Sequence, residues 1–378
     1  MVKFIVVMPI KNKVIYIISP EAWGTNFVSK HHYATLLAEQ GNKVFFINPP
    51  SSKFNTTKIS EHLSVVDYSV GIFRGVNRLP AMLRNALNRK IIKKLKKYIG
   101  AAADIVWSFD PFRFQNLNQF GSKCKIYHPV DVHQTNLEAE VVKTADIVFS
   151  TAHKILDRFK ELPTPKYFIN HGLAAHFLEI PKEIDFKTPT STINIGYVGN
   201  LNYQFLDKGI LLKILTENPE LNFYFIGPYE KSNLSENINS DFIGKIKQLP
   251  NVFLLGPKPT YELPAYLKKF DLLLMCYSGD QNIAQMANPH KILEYLSSGK
   301  VALTHYIDEY KTQDNLFIMC QSNEELPSRF KYAVNNLSVL NNEESMQIRV
   351  KFAADNTYLK QLERIENLLK QHCNSLFL

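Results

Sequence analysis

Short apolar and β-branched runs alternate along nearly the whole chain with longer segments whose apolar positions recur every three or four residues. In the first half the runs predict strands at Val14–Ser19, Lys43–Ile47, Leu63–Tyr68, Asp104–Phe109, Lys125–Val130, Ile147–Ser150 and Tyr167–Ile169. Helical spacing predicts Val28–Gln40, Pro80–Ile99, Leu137–Lys143 and Ala152–Lys160 between them. Gly41 follows the first helix at once, at a position where the left-handed C-terminal cap suits glycine. The second half repeats the scheme, with strands at Ile193–Val198, Asn222–Ile226, Val252–Leu255, Leu272–Met275, Val301–Thr304 and Leu316–Met319. Its helices are expected at Lys208–Thr216, Asp241–Gln248, Tyr261–Lys268 and Pro289–Ser297, with one or two long helices from about Asn342 to Gln371. Residues 1–13 read as a lead-in or an edge strand.

Short buried strands separated by helices imply parallel sheets covered by helices on both faces. The expected fold class is therefore α/β, built as two doubly wound Rossmann-like domains facing a cleft. Residues 1–180 form the first domain and 193–357 the second, with the helical end at 358–378 packing back on the first. The stretch Glu179–Thr192, with Pro181 and Pro189 and little periodicity, reads as the linker. At 378 residues the chain is too long for one ordinary core, and 18 Tyr and 25 Phe give each domain enough to bury. In such sheets ligands bind at the C-terminal edges of the strands, where helix N-termini point their N–H groups outward.

Charge changes this picture in one place. The formal net charge is +9, and residues 1–180 carry the whole excess: 24 Lys+Arg against 13 Asp+Glu, against 20 and 22 in the remainder. Arg78, Arg84, Arg89, Lys90, Lys93, Lys94, Lys96 and Lys97 crowd one segment, 78–97, with no acidic residue among them. Apolar residues recur there at helical spacing, so the segment is an amphipathic basic helix. It serves either as a solvated surface helix or as a contact with an anionic membrane surface. No zinc finger, recognition helix or aromatic-interleaved basic motif accompanies it, so nucleic acid is not an expected partner. No run approaches the ~18–20 apolar residues of a membrane span, and no cleavable signal stands out. Cys124, Cys276, Cys320 and Cys373 form no CxxC pair, which argues against a disulfide scaffold or a cysteine zinc site. A cytoplasmic protein is expected, with the basic helix as its route to the inner face of the membrane.

Several groups carry candidate chemistry. Asn288 can cap a helix and Pro289 suits its first position, which would open that helix toward the cleft. His290 follows them, and Lys291 and Glu294 are three apart, hence neighbours on one face. A cation beside phosphates and a carboxylate accepting from ribose hydroxyls would suit a nucleotide-sugar; an ion pair on the surface is the plainer reading. Glycine turns end three successive strands, at Gly199–Asn200, Gly227 and Gly256–Lys258, and Lys208 opens the helix after the first. In the first half, His128 and Asp131 follow a strand at the cleft edge, with His133 beyond them. Either could orient a hydroxyl or take its proton, while a turn cap and a hydrogen-bonded loop histidine are the structural readings. Trp23 and Gly24 follow the first strand, where a loop could contact an acceptor sugar. No carboxylate-rich metal motif is present.

The strings GYVGNL, DKG, YFIGP, VFLLGPKP, ELPAYLKKFDLLLM and NPHKILEYLSSGKVALT together resemble the donor half of GT-B glycosyltransferases. They are most similar to the large group that builds bacterial surface polysaccharides. HHYATLLAEQGNKVFFINPP, TADIVFSTAH and FINHGLAAHF are similar to that group's acceptor domain and crossover. The resemblance implies that Glu294 binds the donor ribose and that backbone at Asn288–Lys291, with Lys208 and Lys291, holds the diphosphate. Gly199–Asn200 would then lie near the phosphates, and Gly256 and Lys258 near the base. It also implies a UDP- or GDP-sugar as co-substrate, no cofactor or metal, and a glycan or lipid-linked acceptor. Two departures stand out: Met286 occupies the place of an upstream glutamate, and Val301 follows Lys300 where a proline is usual. The alternatives are a nucleotide-sugar epimerase on the same architecture and a non-catalytic membrane or nucleic-acid binding module.

Overall fold

A computed structural model describes residues 10–24, 27–70, 75–133, 135–230, 240–278 and 288–377. Residues 1–9 of the expected 1–13 lead-in and the position of Met286 lie outside them. The chain divides into two units, one of residues 1–171 with 358–378 and one of residues 172–357.

The first unit holds eight strands: β1 (Val14–Ile18), β2 (Lys43–Ile47), β3 (Asn55–Lys58), β4 (Leu63–Asp67), β5 (Ile105–Ser108), β6 (Cys124–Tyr127), β7 (Ile147–Ser150) and β8 (Lys166–Phe168). They lie in the order β3-β4-β2-β1-β5-β6-β7-β8, parallel throughout except for the antiparallel β3–β4 pair. Helices α1 (Ser29–Glu39), α2 (Ala81–Ile99), α3 (Leu137–Val142) and α4 (His153–Asp157) link them. Ile15, Ile17, Val44, Phe46, Ile105, Trp107, Ile126 and Phe149 form the middle of the core, and their strands are buried on both faces. That explains why these strands read as near-continuous apolar runs. Strand β3 escapes that pattern because Asn-Thr-Thr-Lys is exposed throughout at the sheet edge.

The second unit repeats the design with β9 (Asn194–Val198), β10 (Asn222–Ile226), β11 (Val252–Gly256), β12 (Leu272–Met275), β13 (Val301–Thr304) and β14 (Ile318–Met319). All pair in parallel, in the order β11-β10-β9-β12-β13-β14. Its helices are α5 (Lys208–Glu217), α6 (Ser240–Lys247), α7 (Leu263–Leu267), α8 (Lys291–Ser297), α9 (Leu326–Asn335), α10 (Leu337–Leu340) and α11 (Glu343–Ala354). The α9–α10 pair is not in the sequence expectation. Leu173 and Phe177, from the stretch read as the end of the first domain, enter the core of this unit, and Phe186 of the expected linker lies 4.9 Å from the Tyr266 ring. Arg349 of α11 is buried and donates to the carbonyls of Gly299, Leu316 and Leu340, tying three backbone segments together with one guanidinium. Burial pulls its pKa down to about 10, which leaves it charged at neutral pH.

The final helix, α12 (Tyr358–His372), places Tyr358, Leu362, Ile365 and Leu369 in the core of the first unit. Just after it, Cys373 forms a disulfide with Cys124 of β6, with Cα atoms 5.8 Å apart. This corrects the expectation from spacing: 249 residues separate the two cysteines in sequence, and only the return of α12 brings them together. Asp146 lies beside them, but its carboxylate is held by the Lys125 ammonium at 2.9 Å and the Lys125 N–H at 2.8 Å. Cys276 and Cys320 are free thiols buried in the second unit. No helix among the described residues is long and apolar enough to cross a membrane.

Candidate functional site

In the second unit the strand order reverses between β9 and β12, the position where open parallel sheets form a crevice. Around it the glycine turns are laced together. Gly199 N–H donates to the Ile226 carbonyl (2.9 Å), Leu201 N–H to Pro228 (2.9 Å) and Gly227 N–H to Gly256 (3.0 Å). The turns after β9, β10 and β11 thus form one continuous ledge. Gly227 has φ 141°, a backbone state that essentially only glycine adopts.

Helix α5 starts on this edge. Asp207 caps it, its Oδ1 accepting from Ile210 N–H at 3.0 Å and its Oδ2 from the Asn323 amide at 2.7 Å. Asn323 also donates to the Tyr277 carbonyl at 2.9 Å, and Asp207 N–H to Cys276 at 3.0 Å. The start of α5 is therefore bolted to the end of β12. Lys208, next in the chain, is half-buried and has no ion-pair partner among the described residues. Partial loss of water pulls its pKa down.

Helix α8 follows β12, so its N-terminus lies on the same edge. Buried Tyr295 fixes it, accepting from Val198 N–H at 2.8 Å and donating to the Leu274 carbonyl at 3.3 Å. The bond ties α8 to β9 and β12 together and sets the height of the residue before it. That residue is Glu294, whose Oε2 lies 2.9 Å from Lys291 Nζ and whose Oε1 lies 3.9 Å from His290 Nε2. Lys291 and Glu294 are both mostly buried, which distinguishes them from a solvated surface pair. The helix begins later than expected: His290 stands at the N-cap, with Asn288 and Pro289 in the turn ahead of it. The first bond of that turn runs from Ile292 N–H to Pro289 (3.2 Å). Lys258 lies over the Tyr266 ring at 5.8 Å. One group escaped the sequence reading: His176, which feels the Glu294 charge, while burial lowers its pKa. Its signal was the second histidine of NHGLAAHF.

In the first unit the order reverses between β1 and β5. His128, directly after β6, is 1% exposed and packed among Trp107, Phe109, Phe149 and Tyr33. Burial pulls its pKa down to about 3, so the ring is neutral at any physiological pH. Neither ring nitrogen has a hydrogen-bond partner among the described residues. Asp131 is exposed on the following loop, and the surrounding protein pushes its carboxyl above the usual range, against the opposing pull of His133 and Lys30. His133 packs edge-on against Phe112, and its carbonyl accepts from Arg158 at 2.7 Å. Trp23 is half-buried against Phe27, His31 and Phe46, with its backbone N–H donating to Asn48 Oδ1 at 2.8 Å; Gly24 beside it is exposed. Trp23 therefore spends its ring mainly on packing. Two charged groups at this edge went unread in the sequence. Lys30, in the first turn of α1, is 2% exposed and ion-paired with Glu21. Arg113 is largely covered, and its donors go to Asp110, Ser19, Asn48 and Tyr68. A cavity of about 310 Å³ opens beside Arg113, between the ends of β2 and β4 and helix α2.

The basic helix forms at Ala81–Ile99, and its charges divide into two sets. Arg84 turns inward to Glu140 at 2.6 Å, and Lys96 donates to the Phe120 carbonyl at 2.9 Å. Arg89, Lys90, Lys93, Lys94 and Lys97 are exposed, as are Met82 (86%) and Leu83 (55%) at the start of the helix.

No protein-family model matches the chain. A 109-residue stretch is 28% identical to Bacillus subtilis TuaH, named as a teichuronic acid biosynthesis glycosyltransferase; it covers 29% of this chain and 25% of that protein. The chain thus spans only a quarter of the length of that curated relative. Solved structures match almost end to end. Sucrose-phosphate synthase from Thermosynechococcus elongatus aligns over 96% of this chain and all of its own, at TM-score 0.71 and 12% identity. Anabaena HepE in complex with UDP and glucose aligns over 95% and 100%, at 0.65 and 12%. WaaG, a glycosyltransferase involved in lipopolysaccharide biosynthesis, aligns over 94% and 99%, at 0.60 and 12%. With two doubly wound parallel-sheet units and this end-to-end likeness, the chain has the fold of the GT-B glycosyltransferases.

Proposed function

We infer that the protein transfers a sugar from a nucleotide-sugar donor to a glycan or lipid-linked acceptor in surface polysaccharide assembly. The observation that carries this reading is the ledge of the second unit. There the Gly199, Gly227 and Gly256 turns, the start of α5 with Lys208, and the Lys291–Glu294 pair gather on one strand edge. Backbone amides at a glycine turn and a nearby ammonium suit a diphosphate, and a fixed carboxylate suits two ribose hydroxyls. Helix α8 has only seven residues, so more of the phosphate binding falls to Lys208 and the ten-residue α5. Lysines and amides there would neutralise the departing nucleoside diphosphate as its bond to the anomeric carbon breaks and the acceptor oxygen forms the new glycosidic bond.

On the acceptor side, Asp131 would take the proton of the attacking hydroxyl, a role that the upward direction of its pKa supports. His128 is uncharged and serves as a hydrogen-bonding group rather than a base. A UDP- or GDP-sugar is the expected donor, supported by the UDP complex of HepE. The outer face of α2 supports docking at an anionic membrane, with Met82 and Leu83 entering the headgroup layer.

The test is a panel of UDP-, GDP-, CMP- and dTDP-sugars read by thermal shift, on the wild type and on Glu294→Ala. A UDP- or GDP-sugar should raise the melting temperature, and the substitution should weaken that donor at least tenfold. A wild type that responds to none of them, or a variant that binds the donor unchanged, rejects this site.

A further inference from the structure

At the switch point of the first sheet, Lys30 stands out among the buried polar groups. It follows β1, is 2% exposed, and lies with its ammonium 5.8 Å from the Phe109 ring centre at the end of β5. Its one ion-pair partner among the described residues is Glu21, whose side chain is 55% exposed on the loop after β1. An ammonium carries three donors, so a single carboxylate leaves it under-coordinated. His128, packed on the same Phe109 ring at 5.0 Å, adds two ring nitrogens without a partner among the described residues. Asp131 belongs to the same edge and feels the charges of Lys30 and Glu21.

We propose that this strand edge is an oxyanion site of the acceptor, in which Lys30, with His128 beside the same Phe109 ring, receives a phosphate or carboxylate group and Glu21 is the carboxylate that the ligand replaces. A buried cation stays paired. Whatever displaces Glu21 from Lys30 must therefore bring its own negative charge, which selects an anionic group over a neutral hydroxyl. Glu21 is free to leave because its other side faces solvent. Calling the anion part of an acceptor rests on the glycosyl-transfer reading; the anion site itself does not.

The chain supplies its own probe. Its two tryptophans lie close to these groups: Trp23 follows Glu21 by two residues, and Trp107 stacks on His128 at 5.9 Å. Intrinsic fluorescence of the full chain is titrated with inorganic phosphate and, separately, with glucuronate, at ionic strength held constant with chloride. A saturable change is expected with at least one anion. Lys30→Met should weaken it tenfold or more, Lys30→Arg should keep it, and Glu21→Gln should tighten it at least threefold. Glu21→Gln should also melt lower than wild type and recover when the anion is added. Response to phosphate alone assigns a phosphorylated acceptor; response to glucuronate alone assigns an acidic sugar. No saturable change in the wild type, or one indifferent to Glu21→Gln, overturns the proposal. Where Lys30→Met fails to fold, the Glu21→Gln and Lys30→Arg pair decides. UDP binding is followed on the same proteins: its loss with anion binding intact removes the glycosyl-transfer reading and leaves this site standing.

Discussion

A Cβ added to Gly227 would lie 2.0 Å from the carbonyl oxygen of Gly199. That oxygen is backbone and cannot rotate aside, and Gly227 also sits at φ 141°. Gly227→Ala should therefore destabilise the second unit by about 3 kcal/mol and abolish nucleotide binding, because the whole ledge must shift. Gly256→Ala is the control. Its φ is 69° but nothing lies within 4 Å of an added Cβ, so only left-handed strain of about 1–2 kcal/mol is expected. Chemical denaturation with a nucleotide titration would separate the two; equal effects would contradict the ledge.

His128 makes stability depend on acid in a definite direction. Its folded pKa is about 3, below the ordinary 6.5, so the unfolded ring takes a proton first. The contribution is complete above pH 6.5 and is lost as pH falls toward 3, by roughly 1.4 kcal/mol per pH unit. His128→Phe should be as stable as wild type at pH 7.5, clearly more stable at pH 4.5, and impaired in transfer. Urea unfolding at both pH values tests it. His305, held at about 4 by burial in the second unit, should keep its own share of the acid loss.

Much of this architecture was legible in the apolar pattern, because parallel strands buried on both faces leave unbroken runs. Strands such as Lys43–Ile47, Ile147–Ser150 and Leu272–Met275 stand where the runs placed them. What escaped has physical reasons. Strand β3 is polar and exposed, so it carries no such run. Lysine at Lys30 reads as solvated, and only the fold reveals it beneath Glu21. The start of α8 moved from Asn288 to His290 because a tight turn, rather than an asparagine cap, opens that helix.

The Cys124–Cys373 disulfide should stabilise the first unit by about 2–4 kcal/mol relative to Cys373→Ser. Mass measurement after alkylation without reductant should find only Cys276 and Cys320 modified once the protein is unfolded. Four alkylated thiols, or an unchanged denaturation midpoint on reduction, would exclude the bond.

Replacing Arg89, Lys90, Lys93, Lys94 and Lys97 with Gln should weaken binding to anionic vesicles by more than tenfold, since each charge contributes about 1 kcal/mol. Fold stability should hold, because these side chains face solvent. Lys96→Gln should do the reverse, lowering stability through the lost Phe120 bond while leaving vesicle binding nearly intact. Unaltered partitioning of the five-site variant would reject membrane docking by α2.

Because α12 completes the core of the first unit, the sheet of that unit is synthesised before residues 172–357 and its closing helix after them. Residues 172–357 are all available before the closing helix has been synthesised. Until then Tyr33 lacks the Tyr358 ring that packs edge-on against it, while the residues of the second unit are already all present.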